Sequence, residues 1–97
     1  MEKLIEQVNK FIKENDLDFS GEGSELNGNC TILAGFICYL AYRNILSFSD
    51  SINIINSSLL KFSKETIEEL ERVFTYAWRN NYEHFWETKE ATIQYKF

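Results

Sequence analysis

Thirteen consecutive residues, Cys30 to Tyr42, carry no charged side chain until Arg43. The run falls short of the ~20 apolar residues that a bilayer-spanning helix needs, so it reads as a buried helix and not a membrane anchor. Its apolar positions, Cys30, Ile32, Leu33, Phe36, Ile37, Leu40 and Ala41, go nearly all the way round a helical wheel. Such a helix must be covered on more than one side, which makes it the central element of the fold. Gly35 and the small Ala34 and Ala41 would let a neighbouring helix approach closely, at a cost of about 1 kcal/mol for the glycine. Tyr39, Tyr42 and Arg43 are expected at its wetter edge.

The flanking segments are read by their apolar spacing. From Glu2 to Asn15, Leu4, Ile5, Val8, Phe11 and Ile12 form one helical face between Glu and Lys residues. From Asp16 to Asn29, glycines and small polar residues predict a loop, with Asn27 or Asn29 as cap of the central helix. Between Ser47 and Phe62 both a helical and an alternating pattern fit; a short helix from Asp50 to about Leu60 is preferred. Ser63 then caps a long helix running to Glu87, with Phe62 and Ile67 placed as a hydrophobic staple. Its apolar face comprises Ile67, Leu70, Val73, Phe74, Ala77, Trp78 and Phe85. The tail, Thr92 to Phe97, alternates and is β-prone. Its strand partner would be residues 17–20, residues 52–55 or another copy of the chain. The predicted fold is therefore mainly α: a small three-to-four-helix domain with a C-terminal β-strand, or α+β with a small two-stranded sheet. At 97 residues and 44% hydrophobic content, residues 1–97 suffice for a single domain.

Charge narrows the partners. Fifteen acidic residues against ten basic ones leave a net charge of −5, so a phosphate-binding surface would have to be built against the overall field. Direct nucleic-acid binding is disfavoured on that ground. The start, Met1-Glu2-Lys3, enters an amphipathic pattern without a basic, apolar and cleavable leader, and the expected compartment is the cytoplasm. Ile, Asn, Lys, Phe, Tyr and Met, with AT-rich codons, make up 40 of the 97 residues. That composition points to a low-GC bacterium or a phage or mobile element of one.

Three chemistries are worth testing against the residues. Gly23 to Cys30 has the glycine spacing of a phosphate-binding loop, but Asn29 stands where the Lys would be, Cys30 where the Ser or Thr would be, and Glu22 and Glu25 add negative charge. Cys30, placed in the first turn of the central helix, would have a lowered pKa, and with His84 and Asn80 or Glu87 could form the core of a small cysteine hydrolase or acyltransferase. One His and two thiols eight residues apart give no metal-ligand spacing, and no metal or cofactor is expected. Cys30 and Cys38 are about 12 Å apart along one helix, beyond disulfide reach, so both should be free thiols.

Surface character supports a different class. Glu65, Glu68, Glu69 and Glu71 occupy the first two turns of the long helix, with Glu68 and Arg72 spaced as an i, i+4 pair. Farther along, Arg79, Tyr82, Glu83 and Trp86 concentrate the residue types that dominate binding hot spots, unless the C-terminal strand covers their rings. These eight residues are the expected partner-binding set. The implied function is a small acidic protein-binding module, an inhibitor or immunity or anti-defence type protein that occludes a basic, nucleic-acid-handling protein. The alternatives are the Cys30–His84 enzyme and a homo-oligomer joined through the C-terminal strand.

Overall fold

The computed structural model describes residues 2–80, and these form four helices: α1 (Glu2–Glu14), α2 (Gly23–Asn44), α3 (Phe48–Ile55) and α4 (Lys64–Arg79). The C-terminal strand predicted at 92–97, and the stretch from residue 81 to Glu87 of the predicted long helix, lie outside the described residues. Of the three strand partners expected for that tail, residues 52–55 are helical in α3 and residues 17–20 are irregular.

The central helix is central for the reason its sequence indicates. Every residue of α2 from Leu33 to Ala41 is buried. α1 covers it with Ile5, Val8 and Phe11, whose ring stacks on Phe36 with centroids 4.1 Å apart. α4 covers another side with Leu70, Phe74 and Ala77. Tyr39, expected at the wet edge, is only 8% exposed. Its hydroxyl accepts a hydrogen bond from the Arg43 guanidinium at 2.7 Å, so the charge stays outside while the ring joins the core.

α2 starts at Gly23, seven residues before Cys30, which the sequence pattern places in the first turn. Its N-cap is Glu22, which makes no side-chain capping bond, and neither Asn27 nor Asn29 caps it. Tertiary contacts replace the cap. Leu26 packs against the core one turn before Cys30, and the Asn27 side chain donates to Glu69 Oε2 of α4 at 2.7 Å. The Asn29 amide donates to the carbonyl oxygens of Asp18 and Glu25, tying the loop to the helix. Gly23, at φ 59°, occupies the left-handed region at this entry, where a side chain would be strained.

α3 is shorter than expected and shifted toward the N-terminus. Ser47 begins it with a capping box, accepting from the Asp50 amide while the Asp50 carboxylate accepts from the Ser47 amide. α4 begins where the sequence places it: the Ser63 hydroxyl accepts from the Thr66 amide, and Phe62 and Ile67 both pack against the core. Phe48, at the start of α3, meets the rings of Phe74 and Trp78, each with centroids 5.6 Å away. Asn56, after its end, donates to Glu71. α3 therefore runs back along α4, whereas α2 and α4, joined at Asn27–Glu69, run in the same direction.

Candidate functional site

The site residues predicted on α4 divide into two groups. Glu65, Glu68 and Arg79 are exposed. Glu69 and Glu71 are half-buried and hydrogen-bonded within the molecule, Glu69 to Asn27 and Arg72, Glu71 to Asn56. Tyr82, Glu83 and Trp86 lie outside the described residues, as does His84. The expected Glu68–Arg72 pair is replaced by Glu69–Arg72, whose guanidinium donates from Nε and Nη2 at 3.0 and 2.6 Å. The reason is Asn27: by fixing Glu69 Oε2 from α2, it presents that carboxylate in the orientation that a two-pronged guanidinium matches. Arg72 first and Asn27 second hold the Glu69 carboxyl below the ordinary carboxylate range.

The fold also brings together charges that are distant in the chain. The loop between α1 and α2 lies on the first turn of α4, where the Thr66 hydroxyl donates to the Phe19 carbonyl at 3.3 Å. The Phe19 ring meets that of Phe62 edge-on at 5.2 Å. Asp18, Glu22 and Glu25 therefore flank Glu65 and Glu68 at the same end of the molecule. All five are exposed, and Lys61 and Lys64 are the nearby ammonium groups. Asp18 is held in place by Ser20, whose hydroxyl and amide donate to its Oδ1 at 2.7 and 2.9 Å; those bonds lower its pKa. Asp18, Glu22 and Glu25 were not among the expected site residues. Their membership depends on where the loop docks, and the one sequence signal for that is the aromatic Phe19 set among polar residues.

Two of the concave features among the described residues border α2. One, of ≈ 300 Å³, lies between α1 and the C-terminal half of α2 over Phe36 and Tyr39, with Lys10, Glu14 and Arg43 among its lining residues. The other, of ≈ 370 Å³, lies between α2 and α4, with Ala34 and Ala77 among its walls and Tyr76, Arg72 and Val73 beside them. Ala34, one of the small residues of α2, lines this groove. Tyr76 is 69% exposed, a large aromatic surface outside the core. Tyr42, Ile45 and Leu59 are the other large exposed apolar residues among those described.

The thiol chemistry changes with the helix boundary. Cys30 is the eighth residue of α2, two turns inside the helix, so the N-terminal dipole that would lower its pKa is distant. It is fully buried, and burial first, with the nearby Glu69 carboxylate second, pushes its pKa up to about 11. Cys38 is also buried and free, and burial pushes it up to about 12. The premise for a nucleophilic Cys30 is thereby overturned. Gly23 to Cys30, the segment with phosphate-loop spacing, forms the first two turns of α2 instead of a loop. Among the described residues, no three His, Cys, Asp or Glu side chains converge, and no helix is long and apolar enough to cross a membrane.

No family model matches the chain, and no curated protein or solved structure shows significant similarity to it.

Proposed function

We propose that this chain is a small acidic protein-binding module of the inhibitor or immunity and anti-defence type, acting in the cytoplasm by covering a basic surface on its partner. The observation that carries the reading is the shared face of Asp18, Glu22, Glu25, Glu65 and Glu68. Five exposed carboxylates lie on segments that Asn27–Glu69, Asn29–Asp18 and Thr66–Phe19 hold together, with two exposed ammonium groups, Lys61 and Lys64, in the same stretch of chain. Clustered charge of one sign raises encounter rates with a basic partner and disfavours acidic competitors. The helical core beneath gives the face a fixed shape, so little ordering cost falls due on binding. Blockade follows from occupancy: the module covers the cationic groups that its partner uses for its own, anionic ligand.

The partner-binding set is revised accordingly. Glu65 and Glu68 remain, joined by Asp18, Glu22 and Glu25, while Glu69 and Glu71 serve the interior. Arg79, Tyr82, Glu83 and Trp86 stay as proposed contacts beyond this face. The test is a pull-down with the tagged full chain from a low-GC bacterial lysate, washed at low and high salt. A Glu22→Lys/Glu65→Lys/Glu68→Lys variant serves as control. The expected result is one basic protein, retained at low salt, released at high salt and missed by the variant. A partner captured equally by the variant, or held independently of salt, would sink the electrostatic reading.

A further inference from the structure

α4 carries a second pattern, which shares Glu65 and Glu68 with the acidic face. At 100° per residue, Glu65, Glu68, Glu69, Arg72, Tyr76 and Arg79 fall within an arc of about 100° on the helix. Acids occupy the N-terminal half of this stripe and bases its C-terminal half. Tyr76 stands in the C-terminal half, 69% exposed, on the rim of the groove floored by Ala34 and Ala77. A stripe with opposite charges at its two ends is complementary to itself when reversed, which is the symmetry of an isologous two-fold contact.

We propose that this stripe and the α2–α4 groove form a docking surface for a second copy of the same chain, with the two α4 helices antiparallel. Placing the two-fold axis level with the midpoint between Arg72 and Tyr76 sets Arg72 of each copy opposite Tyr76 of the other. The same register sets Arg79 level with position 69, next to the exposed carboxylate of Glu68, while Glu69 stays engaged by Arg72 and Asn27 within its own chain. Arg72 is suited to the central position because Glu69 already satisfies its edge in a two-pronged pair, leaving the flat face of the guanidinium to stack on an aromatic ring. The groove, at ≈ 370 Å³, has room for a phenol ring against its small alanines. Glu65 and Glu68 also belong to the acidic face, so a second copy and a basic partner exclude one another. The dimer itself does not depend on the partner-binding reading.

Sedimentation velocity of the purified full chain at about 100 µM tests this without any partner. The expected species is twice the 11.5 kDa chain mass at about 50 mM salt, shifting toward the single-chain mass at about 0.5 M as the charges are screened. Arg79→Glu, which makes both ends of the stripe acidic, and Glu65→Arg/Glu68→Arg, which makes both basic, should each sediment as single chains. Mixed one to one, they should recover the double mass as a heterodimer, because both pairs between positions 68 and 79 are again of opposite sign. All three positions are exposed, so circular dichroism should show both variants folded as wild type. A wild-type chain that remains single at low salt overturns the proposal and leaves the groove to another occupant. Variants that still dimerise alone, or a mixture that stays single, overturn it equally.

Discussion

Alkylation of Cys30 offers a direct test of where α2 begins. With α2 starting at Gly23, the thiol lies two turns inside the helix, fully buried, with its pKa pushed up to about 11. At pH 7.5 that leaves roughly 3 thiols in 10,000 ionised, against about one in ten for an ordinary thiol of pKa near 8.5, a factor of about 300. Since iodoacetamide reacts with the thiolate, Cys30 should label at least about 300-fold more slowly than a free cysteine, and Cys38, pushed up to about 12, more slowly still. Burial adds a second barrier, because the reagent reaches either sulfur only through an opening of the core. The assay is native labelling followed by mass spectrometry of peptides, with a denatured control defining full modification. The labelling rate should climb about tenfold per pH unit from 7 to 9 if reagent access does not change. Selective modification of Cys30 within about tenfold of the free-cysteine rate would refute the buried placement and revive the thiolate nucleophile.

Three further outcomes follow from the core and its boundaries. Phe74, fully buried against the rings of Phe48 and Trp78, should lose about 3–5 kcal/mol on replacement by Ala, a large share of the stability of a domain this size, read by urea denaturation. Ile45 ends α2 at φ 53° while 92% exposed, so Ile45→Gly removes left-handed strain without losing packing; a gain of about 1 kcal/mol, seen as a rise in Tm, is expected. Stability should decline at both pH extremes. The folded pKa values of both thiols are raised, so their contribution is complete below about 8.5 and is lost as pH rises through about 11 and about 12. The folded pKa of Glu69 is depressed, so its contribution is present above about 4.3 and is lost as pH falls through the lowered value. Chemical denaturation across pH checks both limbs: Asn27→Ala should weaken the acid one, and a Cys30→Ala/Cys38→Ala variant should flatten the alkaline one.

Much of the fold is legible in residue spacing. The all-round apolar pattern of Cys30 to Tyr42 requires a helix enclosed by others, and the one-sided patterns of α1 and α4 provide its cover. Ser63 could be read as a cap because its capping bond is local, reaching only to Thr66. The loop and the charge network were harder to read, since both depend on contacts distant in sequence. Glycines and asparagines between residues 21 and 29 are poor helix formers by themselves, yet Leu26 in the core and Asn27 on Glu69 draw Gly23 to Asn29 into α2.

Local chemistry thus determined which segments are helical faces, which one is central and which residue starts α4, because periodicity and capping operate over one or two turns. Tertiary structure alone decided that α2 begins two turns early, that Cys30 is a buried core thiol, and that Arg72 pairs with Glu69 instead of Glu68. It also decided that the acids of the α1–α2 loop join those of α4. Each of these outcomes turns on a contact across 11 to 47 residues of chain, among them Asn29 to Asp18, Asn27 to Glu69 and Thr66 to Phe19. Such contacts form only once burial of the central helix has fixed the elements side by side.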